Sequence, residues 1–277
     1  LYALAQGDAP VVVATADGLM ARTLPPETLR SLAITLEVGG QAELGALAEQ
    51  LLSAGYTRCE QVEGVGQFAL RGGILDVFSP LMDQPVRCEF FDDEIDSMGA
   101  FDPGTQRRTR NVSSARILPA AEVLPHCAPG GLPGLADQLT ALAEKLAKKQ
   151  KTEAIVQTLR EDAERLRSGA APGAADRYLA AIYPTVTAGV HYLPPDAVVF
   201  LSESGRVDER VKNTVLQQKQ DVEALLSAGV LAGEYAHLTL TAEELYAALE
   251  DFPVILEDSC LLYTSDAADE RTSVDLG

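Results

Sequence analysis

The 277 residues carry 22 Lys and Arg against 41 Asp and Glu, a formal charge of −19. That balance excludes a chain that grips nucleic acid over its whole surface, because phosphate contacts need a basic face, although a local basic patch stays open. With 47% hydrophobic residues the chain buries a core, and eight Tyr, seven Phe and no Trp give few platforms for stacking single-stranded bases.

In chain order, Val11-Val12-Val13 predicts a buried strand over 9–14, followed by a short helix near Asp17 to Arg22 and a break at Pro25-Pro26. Residues 1–30 therefore read as a remnant of the first half of an α/β domain. A strand over Leu32 to Val38 puts Leu32, Ile34, Leu36 and Val38 on one face. Gln41 to Ala54 is an amphipathic helix, with Leu44, Leu47, Ala48, Leu51 and Leu52 at helical spacing and Gly55 ending it.

The segment from Gly55 to Phe101 is dense in strand signals. Phe68 and Leu70 face a core, while Gln67, Ala69 and Arg71 point the other way. Gly72-Gly73 is expected to supply the positive φ angles of a two-residue hairpin turn, and Ile74 to Phe78 returns beside the first strand. In the next strand Val86, Cys88 and Phe90 share one face, leaving Arg87, Glu89 and Phe91 on the other. Arginine and phenylalanine on the solvent side of one sheet is the composition of a protein-binding hot spot. The bland alternative is that Arg71 and Arg87 pair with Asp76 or Glu89 across neighbouring strands. Asp102-Pro103-Gly104-Thr105 is a turn before a strand near Arg107 to Arg110, so 31–118 reads as a compact α+β module with an antiparallel sheet.

Pro- and Gly-rich sequence at 119–133 marks a boundary, and 119–256 reads as the second half of the α/β domain. Leu135 to Leu166 is helical with a possible break, and Ala174 to Ile182 is a shorter helix. Ala197 to Leu201 is a continuous apolar run, the pattern of a central parallel strand. A long helix covers Val207 to Ser227. Thr241 caps a further helix to Leu249 with Glu244 in the capping-box position, and Val254-Ile255 is a last strand. The fold class is thus α/β, interrupted by the module. The tail 260–277 has no apolar period and reads as a non-native, adapter-derived addition.

Little in the chain carries chemistry. There is no GxxxxGK[ST] loop, Gly64-Val65-Gly66 and Gly72-Gly73 are turn glycines, and Asp92-Asp93-Glu94 with Asp96 lacks the spacing of a calcium loop. His126, His191 and His237 are isolated from one another and from candidate nucleophiles. Cys59, Cys88, Cys127 and Cys260 contain no CxxC pair and read as reduced thiols. No catalytic or metal-binding residue is expected. No signal peptide or bilayer-length apolar run is present, which reads as a cytoplasmic chain with no membrane partner.

Four blocks, GYTRCEQVEGVGQFALRGGILDVFSP (55–80), PVRCEFFDDEID (85–96), FDPGTQR (101–107) and ILPAAE (117–122), resemble the UvrB-homology region of bacterial transcription-repair coupling factors. The resemblance continues through RYLAAIYP (177–184) and YLPPDAVVFLSES (192–204), covering nearly all of 1–256. RGGILD at 71–76 favours that family over UvrB itself, where an RGDVVE-like version is expected. The resemblance implies a degenerate P-loop-like domain kept as a scaffold, with 31–118 as the module that recruits UvrA. UvrB-like helicases place an Asp-Glu-Ser-His motif after the strand that matches AVVFL, and the Asp organises magnesium. Here Ser202-Glu203-Ser204-Gly205 stands in its place, and a serine is a poor substitute for that carboxylate.

Carried over residue by residue, the family's UvrA contacts fall on Arg71, Arg87 and Phe91, with Arg58 and Arg107 as possible rim contacts. ATP, magnesium, RNA polymerase and double-stranded DNA belong, on this resemblance, to an ATP-driven motor whose Walker motifs are not among these residues. The fragment is accordingly expected to be non-catalytic. One rival is a truncated UvrB-type ATPase and damage-binding subunit; another is a module that binds nucleic acid through Arg107, Arg108, Arg110 and Arg116.

Overall fold

A computed structural model describes residues 1–9, 11–148 and 153–258. In chain order the elements are helices α1 (Tyr2–Gln6), α2 (Ala16–Met20) and α3 (Pro26–Ser31), strand β1 (Ile34–Glu37) and helix α4 (Leu44–Ser53). Strands β2 (Thr57–Arg58), β3 (Gln67–Arg71), β4 (Ile74–Val77), β5 (Val86–Phe91), β6 (Glu94–Phe101), β7 (Arg108–Asn111) and β8 (Ser114–Ile117) follow. Then come α5 (Gly131–Lys148), α6 (Glu153–Arg167), α7 (Leu179–Ile182), β9 (Val199–Ser202), α8 (Ser204–Ser227), α9 (Ala242–Leu249) and β10 (Val254–Glu257). The fold is mixed α/β, as the sequence predicts.

The module is built on a six-stranded sheet of order β2-β3-β4-β5-β6-β7, antiparallel except for the short parallel β2–β3 contact. Beside it β1 and β8 form an antiparallel pair, with Leu36 opposite Ala115. Alternation sends Phe68, Leu75, Val77, Val86 and Cys88 to one face, where they share a core cluster with Leu47, Ala48 and Leu51 of α4. The helix begins at Glu43, whose carboxylate accepts from the Gly45 and Ala46 N–H groups and satisfies two otherwise orphaned donors. A second cluster joins Leu135, Leu139 and Leu142 of α5 to Leu159 and Leu166 of α6 and to Tyr178. A third gathers Met20, Val190, Val211, Leu240, Leu245 and Leu249.

Several expectations need correction. Residues 11–14 form no strand, and Val11 and Val13 are 81% and 95% exposed. A strand is stable only beside another, and among the described residues none pairs with this segment. The apolar run at 197–201 does form a strand parallel to its neighbour, with Val199 opposite Val254, but it is not central. Among the described residues its sheet has two strands, and Phe200 is 62% exposed. The break at Pro25-Pro26 starts helix α3 instead, since proline suits the first turn, where its missing N–H costs nothing. That helix takes Leu32 as its C-cap, so the strand shortens to Ile34–Glu37. Residues 175–178 form a 3₁₀ turn before α7. The hairpin turn uses a positive φ only at Gly72, at 60°. Gly73 is required for a different reason: a Cβ there would lie 2.9 Å from the Phe90 carbonyl oxygen.

The capping box of α9 is present as expected, with Thr241 Oγ1 accepting from the Glu244 N–H and Glu244 accepting from the Thr241 N–H. Expectations for 260–277 and for any break at 149–152 lie outside the described residues.

Candidate protein-docking site

The face of the module sheet opposite α4 is where sequence alternation placed Arg71, Arg87 and Phe91. Asp76 on β4 lies directly opposite Arg87 on β5, so their side chains stand on the same face. The Asp76 carboxylate is fully buried and accepts from three N–H groups. Arg87 Nε donates to Oδ1 at 2.7 Å and Nη2 to Oδ2 at 2.8 Å, a bidentate fork. Arg71 Nη2 donates to Oδ2 at 2.7 Å. One carboxylate thus serves two guanidinium groups, and the cluster keeps one net positive charge.

Arg87 is fixed on its other sides as well. Its Cζ lies 4.6 Å from the centroid of the Phe101 ring, in cation–π geometry. Its Nη2 also donates to Gln106 Oε1 at 3.3 Å and its Nη1 to the Gln106 carbonyl at 3.4 Å. The hydrogen bonds to Asp76 raise its already high pKa, against the opposing effect of burial. Beneath this layer Val62, Ala69 and Phe101 form a small apolar cluster, which is why Ala69 is buried although it points away from the main core.

The three residues differ in accessibility. The Arg87 side chain is 19% exposed, that of Arg71 47%, and Phe91 76%. Phe91 stands at the end of β5, before the tight turn in which Asp92 takes φ 53°. Its neighbour Phe90 donates its N–H to the Gly73 carbonyl at 2.7 Å, which seats the Gly72–Gly73 turn beside it. An exposed phenylalanine farther along the same face as the guanidinium groups can fill an apolar depression while the arginines meet acceptors on a partner. Glu89, on the same face, is engaged elsewhere, accepting from Ser97 Oγ at 2.7 Å and Arg108 Nη2 at 3.3 Å. The cross-strand pairing weighed from sequence is therefore real, and it goes to Asp76. Arg58 and Arg107 are exposed, on β2 and just before β7. Arg108 and Arg110 are exposed on strand β7. Arg116 is stacked 5.7 Å from the Tyr2 ring.

Sequence reasoning missed Gln106. No propensity marks a glutamine for φ 60°, and only the closed turn from Asp102 brings its side chain under Arg87. Asp76 had a usable signal, being the one acid on the outward face of a central strand between the two arginines.

The Ser202-Glu203 position does not fit a magnesium-nucleotide complex. Ser202 is exposed at the end of β9, and Glu203 takes φ 56° as the residue before α8. The backbone and hydroxyl donors of Ser204 at the start of α8 are taken by a carboxylate of this chain: Asp258 accepts from Ser204 N–H at 2.7 Å and from Ser204 Oγ at 2.9 Å. Among the described residues no group of three or more His, Cys, Asp or Glu could hold a metal ion, and no helix is long and apolar enough to cross a membrane.

The profile of the UvrB interaction domain matches residues 34–122, which contain all of this face. The chain is 31% identical to the transcription-repair-coupling factor of Bacillus subtilis (strain 168) over 229 residues, 82% of this chain and 19% of that protein. It is 38% identical to the Myxococcus xanthus factor over 172 residues, 61% of the chain and 14% of the relative. The factor of Staphylococcus aureus (strain USA300) is 28% identical over 264 residues, 92% of the chain and 22% of the relative. The chain thus spans about a fifth of the length of the curated relatives it matches. Over most of its length the chain is thus similar to transcription-repair-coupling factors, and its residues 34–122 match the UvrB interaction domain.

Proposed function

We propose that this region recruits UvrA in transcription-coupled nucleotide excision repair, and that Arg71, Arg87 and Phe91 are its principal contacts. The observation that carries the reading is the shared face: a 76%-exposed Phe91 on the same side of the sheet as two guanidinium groups that one buried carboxylate holds in place. Phe91 supplies the apolar anchor, and the net positive charge of the arginine cluster favours carboxylates on UvrA. The region is itself non-catalytic and cytoplasmic. ATP hydrolysis with magnesium, and contact with RNA polymerase and double-stranded DNA, are assigned to other parts of a full-length factor.

The test is the affinity of the whole chain for purified UvrA, measured for the parent and for Arg71→Ala, Arg87→Ala and Phe91→Ala, with folding followed by circular dichroism. Phe91→Ala is the cleanest, because an exposed ring leaves no cavity, and its loss should cost about 2 kcal/mol of binding. A folded parent that ignores UvrA refutes the reading.

A further inference from the structure

We infer that Asp76 and Gln106 are positioning residues for docking: they hold Arg87, and through Asp76 also Arg71, in the orientation a carboxylate-bearing partner meets. The inference rests on the docking reading above and goes beyond it, because neither residue is placed at the interface.

The first ground is the way Asp76 is shared. A lone surface arginine samples many rotamers and must lose that freedom on binding, whereas a guanidinium already fixed does not. Arg87 is fixed by the Asp76 fork, by the Phe101 ring and by two contacts to Gln106. Arg71 is tethered by a single bond to Asp76 and is the more open of the two, at 47% exposed. Because one carboxylate balances only one of the two cations, the cluster is ordered without being neutralised.

The second ground is independent and lies in the backbone. Gln106 adopts φ 60°, a conformation that costs a side-chain-bearing residue energy and that glycine adopts freely. It is held there by many bonds. Its N–H donates to the Asp102 carbonyl at 2.7 Å, and Nε2 donates to the carbonyls of Val62 at 3.1 Å and Pro103 at 2.8 Å. That leaves Oε1 facing Arg87 Nη2. A residue needed only to close the turn would be better as glycine. The glutamine amide instead bridges the Val62 and Pro103 carbonyls through Nε2 and Arg87 through Oε1.

The experiment measures UvrA affinity of the full chain by calorimetry for the parent, Arg87→Ala, Asp76→Asn and Gln106→Gly, and for Gln106→Gly combined with Arg87→Ala. Asp76→Asn keeps the shape but removes the charge and half of the fork, and should weaken binding about tenfold. Gln106→Gly relieves the backbone but also removes the Nε2 bonds to Val62 and Pro103, so the affinity is the readout, and binding should weaken about threefold. In the Arg87→Ala background the same Gln106→Gly change should cost nothing, since there is no guanidinium left to hold. A purely structural role would cost the same in both backgrounds. If Asp76→Asn does not fold, Gln106→Gly and the double variant decide alone. Parent-level affinity in folded Asp76→Asn or in Gln106→Gly, with Arg87→Ala still defective, overturns the positioning role and leaves the docking reading intact. No binding by the parent overturns both.

Discussion

Strands β4 and β9 each carry three apolar residues in four and end in opposite surroundings. In the module, Leu75 and Val77 of β4 are 1% and 0% exposed, because β3 and β5 flank the strand and α4 contributes to the same core. In the β9–β10 pair, Phe200 and Leu256 are each 62% exposed, because the sheet has two strands. An apolar run makes a strand, but the number of neighbours decides whether it is buried. The difference also reveals what the module can spare. With one face sealed by α4, the other is free to carry charge, and a buried carboxylate orders that charge.

Truncating matched positions should separate the two sheets most clearly. Leu75→Ala should destabilise the module by about 3 kcal/mol or more, as expected for a fully buried leucine, with urea unfolding followed by circular dichroism. Phe200→Ala, by contrast, should cost under about 1 kcal/mol, because most of the ring is already in water. Equal losses at the two sites would mean that β9 is covered in solution.

Next in size is the charged face. Asp76→Ala removes the carboxylate that holds both Arg71 and Arg87, leaving two like charges without their shared counter-ion, one of them over Phe101. We expect a loss of about 2 kcal/mol, less than for a fully buried pair because Arg71 can turn to water. Stability insensitive to this change would mean that the arginines hold themselves.

The smallest effect is a matter of pH. Tyr56, beneath α4, donates to the Leu118 carbonyl, and burial raises its hydroxyl to about 12 from the ordinary 10. Burial likewise raises Tyr183 and Tyr192 in the other half. A raised phenol favours folding in its neutral form. The contribution is therefore complete below pH ~10, where the phenol is neutral in the folded and unfolded chain alike. It is lost as pH rises through ~12, with stability falling by at most about 1.4 kcal/mol per pH unit for each such tyrosine. Absorbance at 295 nm should show these tyrosines ionising only as the fold is lost, and independent ionisation at pH ~10 with the fold intact would contradict it.

Local pattern carried much of the architecture. The alternation of Phe68 and Leu70 against Arg71, and of Cys88 and Phe90 against Arg87 and Phe91, placed these three residues on the sheet face away from the main core. The Thr241–Glu244 capping box and the helix over 44–53 were equally readable. These are statements about neighbours one to four residues apart, where backbone geometry alone determines which side chains share a face.

What pattern could not decide involved partners distant in the chain. Val11–Val13 has the composition of a strand and no described strand beside it, and Phe200 has the composition of a core and stands open. The bond from Arg87 to Gln106 crosses 19 residues, and Gln106 reaches 44 residues back to Val62. The sequence by itself determined which residues face outward from each strand, because that follows from a period of two. Only the tertiary structure decided that Asp76 is buried, that it is shared by two arginines and that Gln106 is strained beneath them, because burial and charge pairing depend on which segments the fold brings together.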